Sequence, residues 1–542
     1  MESIAIVLVL LLAVVVSSML VRLSPVGVPA PLVQIALGAA ISVGTGSSIT
    51  LEPEVFFLLF LPPLLFLDGW RIPKEGLFRD KGVILELALG LVVFTVLGVG
   101  LFIHLMIPSM PLPVAFALAA ILSPTDPIAV SAIAARVPVP KRLMHILEGE
   151  SLLNDASGLV CMRFAVAAAL TGSFSLTAAL GTFVWLALGG VAIGIAVTWA
   201  VMVAKDAVSR RIGEDTSVQI LISLLIPFAA YLLAEHLGCS GILAAVAAGI
   251  TMSYVEQRGQ VMAATRVRRS VVWDTVQFAL NGVIFVILGE QLPGIVAGAA
   301  EVVRETGHHD PLWLVVYVVA INLALGILRV SWVWVSLRLT LYRAAQKGLT
   351  PPRPHRRLVI ATSLAGARGA ITLSGILTLP LAMPDGAPFP ARDLAIFLAA
   401  GVIIVSLVAA SVGLPPLLKN LELPPETEEA TKEDAARIEA AEAAIRALEA
   451  RMEQADGARE TDAEIGARLL EIYRQRIEGR TKTGSEAEEL RRMEAAERQL
   501  RLTAIRAERE AIFKASRARR LPDDIARKLI REIDLAEARW GA

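Results

Sequence analysis

LSPTDPIAV, residues 122–130, holds a threonine and an aspartate between two prolines in the middle of an apolar stretch. Each proline lacks an N–H and clashes with the turn before it. A helix running through Pro124 and Pro127 is therefore expected to unwind around Thr125 and Asp126. In lipid, the carbonyls freed by such a break need polar partners or an ion. A proline kink alone is common in membrane helices, but one with Thr125 and Asp126 at its centre points to function.

The surroundings make lipid the relevant solvent. The chain has 542 residues, 55% of them hydrophobic and only 19% charged, with a mean hydropathy of +0.64. Apolar segments of about 20 residues, the length that crosses a bilayer, recur from Ile4 to Leu418. The pattern predicts an all-α polytopic membrane protein with thirteen spans. These lie near 3–22, 28–46, 53–70, 82–107, 112–135, 145–171, 177–204, 216–237, 240–254, 270–293, 312–342, 357–380 and 393–418. The eighth and ninth could instead form one interrupted hairpin. The first reads as a retained helix, because Glu2 precedes it and Arg22 follows, the reverse of a signal peptide. Cys161 and Cys239 lie in apolar segments with no CxxC pairing and read as small buried hydrophobes.

Loop charge tests the count. Arg71, Lys74, Arg79 and Lys81 share a side with Arg136, Lys141 and Arg142, and with Lys205, Arg210 and Arg211. Arg258, Arg266, Arg268 and Arg269 join them, as do Arg338, Arg343, Lys347, Arg353, Arg356 and Arg357. The opposite loops hold only Arg304 and Arg392. The positive-inside rule makes the basic side cytoplasmic, with the N-terminus outside and the C-terminus inside.

The twelfth span contains SLAGARGAITLSG, in which Gly366 and Gly369 surround Arg368. It too should break at a charged centre. It lies seven spans after the fifth, an odd offset, so equivalent helices would be inverted in the membrane. Two inverted six-helix repeats with crossed, unwound fifth and twelfth helices are the pattern of secondary transporters. Spans one to six and eight to thirteen would form the repeats, with the seventh as connector.

Charged groups inside a bilayer are functional candidates by default, and few occur here: Asp68, Glu86, Asp126, Glu150, Asp155, Arg163, Arg329 and Arg368. The sixth span carries EGESLLNDASGLV, residues 148–160. Ser151 and Asp155 are four apart and share a helix face; Glu150 and Asn154 share the adjoining one. The first face offers hard oxygen ligands suited to a small alkali cation or a proton. The second offers an acid and an amide for bracing, while Glu148 is placed at the membrane edge. LPPLLFLDGW in the third span adds Asp68. No GxxxxGK[ST], GxGD or HExxH occurs, which argues against ATP-driven transport, an intramembrane aspartyl protease and zinc hydrolysis. Nothing points to a cofactor or to nucleic acid.

Taken together, GESLLNDASGLV, SPTDPIAV, LPPLLFLDGW and GARGAITL resemble the cation:proton antiporter family of sodium/proton exchangers, bacterial NhaP-like proteins included, over residues 4–418. The resemblance implies that Asp155 alternately binds cation and proton. Asn154 before it gives the Asn-Asp pair associated with electroneutral members. Ser151, the Thr125 main chain and Asp68 would complete a Na+ shell, and Asp126 would hold the two unwound helices together. Glu150 is expected to pair with Arg368, and Arg329 resembles a further family arginine. Family members are homodimers of the cell membrane that move by an elevator-like shift. Asp68 stands where some members have Glu.

These readings predict an antiporter of Na+ against H+, with K+ or Li+ as other candidate cations and a role in pH and cation homeostasis. The physical basis is competition: burial disfavours a bare carboxylate, so proton and cation contend for Asp155. A K+-preferring exchanger, a cation channel and a tail-signalling sensor are the alternatives. A transmembrane domain over 1–420 would precede a cytosolic helical domain over 421–542, read either as a solvated appendage or as a regulatory or dimer-supporting domain. From Glu422 the composition turns rich in Ala, Glu and Arg, with Ile438, Ile445, Leu448 and Met452 at helical spacing.

Overall fold

A computed structural model describes residues 2–24, 28–45, 53–72, 74, 81–126, 141–172, 176–257, 262–305, 310, 312–346, 356–419, 427–453, 460–481 and 485–541. The described chain is helical and divides into two compact units, Met1–Leu421 and Glu422–Ala542. Among the described residues, eight helices are long and apolar enough to cross a membrane, and three shorter apolar helices accompany them.

In the first unit, α1 (Glu2–Leu23), α2 (Ala30–Thr45) and α3 (Pro53–Arg71) are followed by α4, Lys81–Met106, whose residues Glu86–Leu91 form a π-helical turn. α5 (Leu112–Leu122) stops where the sequence predicts a break. Ser123 to Asp126 are non-helical, and Pro127 with the rest of that span lies outside the described residues. Then come α6 (Lys141–Thr171), α7 (Leu176–Ile212), α8 (Thr216–His236), α9 (Gly241–Glu256), α10 (Ala263–Glu305) and α11 (Leu312–Gln346). The twelfth span is broken as expected, into α12 (Arg356–Leu364) and α13 (Ala370–Leu377), before α14 (Arg392–Leu418).

The eighth and ninth spans are two capped helices rather than one interrupted element. Asp215 accepts from the N–H groups of Ser217 and Val218 at 2.7 and 3.0 Å, and the Ser240 hydroxyl accepts from that of Leu243 at 3.3 Å. Each side chain satisfies donors that the first helical turn leaves free.

Close backbone contact organises the scaffold around the site. A Cβ on Gly69 of α3 would strike the Val246 carbonyl of α9, and one on Gly249 of α9 would strike the Phe66 carbonyl of α3. α2 and α10 meet in the same reciprocal way, through Gly38 and Gly289. Small residues let membrane helices approach where lipid provides no hydrophobic drive between them. Leu8 and Leu12 of α1, Trp185 and Leu188 of α7, and Leu323 and Ile327 of α11 remain exposed on the outside. α5 is buried almost throughout, and α14 buries one face, Leu394 to Leu418, while Val408 and Val412 stay exposed.

The second unit comprises α15 (Thr427–Glu453), α16 (Glu460–Thr481), α17 (Ser485–Arg517) and α18 (Asp523–Gly541). α15 joins α16 through Arg480 and Asp434 at 2.7 Å. α17 joins α18 through Arg509, which bonds Asp534 at 3.0 Å and also Glu537, and through Arg501, which sits 4.0 Å over the Trp540 ring.

Candidate functional site

The two broken spans meet. The Asp126 N–H donates to the Ala367 carbonyl at 2.7 Å, joining the end of the fifth span to the gap between α12 and α13. Gly369 makes the approach possible, since a Cβ there would collide with the Asp126 carboxylate. Arg368 is buried and its guanidinium donates to main-chain carbonyls, from Nε to Leu122 at 3.0 Å and from Nη1 to Gly366 at 2.5 Å. Its own N–H donates to the Ser406 hydroxyl of α14 at 3.1 Å. The carbonyls released by unwinding thus find a cation, as helix ends inside a membrane require.

Glu150 does not make its ion pair with Arg368. It is paired with Arg329 of α11, whose two terminal nitrogens reach its two oxygens at 2.5 and 2.9 Å. Arg368 already serves the Leu122 and Gly366 carbonyls, whereas Arg329 presents its planar fork to the carboxylate. Sequence spacing carries no information about which of two arginines a third helix presents. The Thr125 hydroxyl donates to Glu150 Oε1 at 3.3 Å and accepts from Asn154 Nδ2 at 3.1 Å. Glu150, Arg329, Thr125 and Asn154 therefore form one buried polar knot.

Beside this knot lies a cavity of about 590 Å³ lined by Asp155, Ser151, Thr125, Asp126, Asp68 and Glu148, among others. Asp155 is 4% exposed, and among the described residues no hydrogen bond or ion pair engages its carboxylate. Ser151 and Thr125 are also buried, Asp126 and Glu148 are half-buried, and Asp68 is exposed within the cavity. The cavity's α6 lining runs from Glu148 to Asp155 and no further. At its other end are Arg71 of α3 and Asp274 and Gln277 of α10. Arg71 bonds Gln277 at 2.7 Å and pairs with Asp274, in exposed positions. Arg71 and Asp274 thus mark a stretch of the lining that meets solvent.

Each sequence-singled residue now has a place. Asp155, Ser151, Thr125, Asp68 and Asp126 line the cavity; Asn154, Glu150 and Arg329 do not, but bond in a chain that ends on Thr125, and Arg368 bonds the Leu122 carbonyl. Glu86 accepts from Ser336 of α11 at 2.8 Å and lies apart from the cavity. Glu148, left at the membrane edge by sequence, is part of the lining. Residues not singled out by sequence also line it: Gln34 of α2, Asn281 of α10 and Thr372 of α13. Thr372 lay within the GARGAITL motif, but Gln34 and Asn281 are uncharged and gave no comparable signal.

The donor set is carboxylate, hydroxyl and amide oxygen, which suits hard cations. Among the described residues no three His, Cys, Asp or Glu side chains are grouped to hold a metal ion.

Comparison with known proteins places this geometry. Residues 7–420 match the family described as sodium/hydrogen exchanger, transmembrane. An uncharacterized Na+/H+ exchanger of Escherichia coli, YjcE, is 39% identical over 543 residues, covering 99% of this chain and 99% of that one. A sodium, potassium, lithium and rubidium/H+ antiporter of Bacillus pumilus is 44% identical over 419 residues, 77% of this chain and 61% of its own length. In fold, the sodium proton antiporter MjNhaP1 from Methanocaldococcus jannaschii is similar, with a TM-score of 0.59 at 18% identity over 78% of this chain and 99% of that one. The chain belongs to the transmembrane sodium/hydrogen exchanger family, whose members are transporters and not enzymes.

Proposed function

We propose that this chain exchanges one monovalent cation for one proton at Asp155, with Na+ as the first candidate. The observation that carries the reading is a buried carboxylate that no basic side chain pairs among the described residues, lining a cavity with Ser151 and Thr125. A bare charge there is costly in low dielectric, so it is stabilised by a proton or by a cation. Glu150 cannot serve equally, because Arg329 neutralises it. One exchangeable charge, with Asn154 beside it rather than a second acid, supports electroneutral exchange.

Asp68 and Glu148 line the path to Asp155 and would raise local cation concentration there. Asp126, through the Ala367 carbonyl, would hold the crossing of two inverted six-helix repeats within a thirteen-span domain. With the basic loops inside, the cavity faces the cytoplasm of a cell-membrane protein whose N-terminus is outside. The role would be pH and cation homeostasis, by a homodimer of chains whose residues 421–542 form a cytosolic, regulatory helical domain.

A K+-accepting exchanger is the second reading. It is favoured by the 44% identity to a Bacillus pumilus antiporter named for sodium, potassium, lithium and rubidium. Purified protein in liposomes carrying a pH gradient tests both. Added Na+ should collapse the gradient at a rate independent of membrane potential, and Asp155→Asn should abolish the response. Equal responses to Na+ and K+ would favour the broad reading. Full exchange by Asp155→Asn would remove Asp155 from the site.

A further inference from the structure

On the antiport reading, a cavity that meets solvent at Arg71 and Asp274 has to be closed on its far side, and exchange needs that closure to open once per cycle. On α6 the cavity lining ends at Asp155. Arg163 lies eight residues further along the same helix, about 12 Å away at 1.5 Å per residue. There its Nη2 donates to Glu235 Oε1 of α8 at 3.1 Å. The same Glu235 oxygen accepts from the Gly241 N–H, also at 3.1 Å, at the first turn of α9. A Cβ on Gly241 would press on Tyr231 and on the Glu235 side chain, so this corner of α8 and α9 is tightly built.

The two partners belong to different layers. Arg163 sits on the helix that carries Asp155. Glu235 is fixed to α9, which is locked to α3 and its Asp68 by the Gly69 and Gly249 contacts. The ion pair therefore ties the Asp155 helix to the Asp68 layer at the end of the site opposite the cavity mouth. We propose that Arg163 and Glu235 are positioning residues that form a latch, made while the cavity is open at the Arg71 end and broken when Asp155 faces the other side.

The strength of the pair fits this use. Its side chains are 43% and 32% exposed, whereas those of the Arg329–Glu150 pair are 3% and 0% exposed. A tight, dry pair would hold the protein in one state, whereas this one biases it and can release. Glu235 keeps its place through Gly241 when Arg163 leaves, so a formed keeper awaits the returning arginine.

The latch rests on the antiport reading, and one experiment separates them. In a full-length background with Cys161→Ala and Cys239→Ala, Arg163→Cys and Glu235→Cys are combined, and Na+-driven proton exchange is measured in liposomes before cross-linking. No cation-dependent exchange in the unsubstituted protein would overturn antiport itself. A thiol-specific bifunctional methanethiosulfonate with the reach of the native pair is then added. The latch predicts cross-linking, at least a tenfold loss of exchange, and recovery on reduction. Undiminished exchange by cross-linked protein would show that the two positions need not separate, and failure to cross-link would show that they are not neighbours in the membrane. Either result overturns the latch. As an independent readout, Arg163→Gln and Glu235→Gln should each change maximal rate by a few-fold, and the swap Arg163→Glu with Glu235→Arg should restore it. A shift in KM with no rate change would also overturn it.

Discussion

Arg329 grips Glu150 with both terminal guanidinium nitrogens, at 2.5 and 2.9 Å, in a pocket that leaves Glu150 fully buried. This pair, and not one with Arg368, neutralises the acid next to Ser151. Removing one partner of a buried pair leaves an uncompensated charge and costs about 3–5 kcal/mol. Arg329→Met is expected to lower the thermal stability of the purified protein accordingly, and Glu150→Gln with Arg329→Met to recover part of the loss. A thermal-shift double-mutant cycle against Glu150 should give a larger coupling for Arg329 than for Arg368.

Gly369 is the point of closest approach between the broken spans. Gly369→Ala places a methyl group against the Asp126 carboxylate and should push the two segments apart. Overpacking of this kind typically costs about 1–3 kcal/mol. The expected result is a folded protein with at least tenfold slower exchange, read in liposomes, while Gly326→Ala, whose Cβ meets nothing nearby, is unaffected.

Asp68 is exposed within the cavity rather than buried like Asp155. Its charge is expected to attract cations more than to bind one tightly. Asp68→Asn should raise the KM for Na+ by about fivefold with maximal rate retained, the scale of one solvent-facing charge at short range. The difference should shrink as ionic strength rises, because salt screens it. An unchanged KM at low salt would remove Asp68 from the path.

In the second unit, hydrogen bonds from Arg509 hold the Glu537 carboxyl below its usual range. A depressed carboxylate contributes stability at neutral pH that is lost as pH falls through its folded-state value, here below 4.5. Both groups face solvent, so the effect is small. Glu537→Gln should slightly lower the helix-melting temperature of α17 and α18 at pH 7, and the difference should shrink as the pH is lowered into the acid range, as followed by circular dichroism.

Much of the molecule was legible in its residue order. Apolar segments matched to bilayer thickness announce membrane helices, and Pro124 and the Gly366–Gly369 run mark where two of them break. Ser151 and Asp155 share a helix face through spacing alone, and both line the cavity. Local rules suffice for these, because lipid forbids unsatisfied backbone and a helix has a fixed period. Tertiary structure decided the partners. Arg329 rather than Arg368 meets Glu150, Asp126 faces Gly369 across 243 positions of chain, Glu148 turns into the cavity, and Arg163 finds Glu235. Such choices depend on how helices distant in sequence rotate and slide against one another, and small-residue contacts such as Gly69 on Val246 set that geometry only once the helices are assembled.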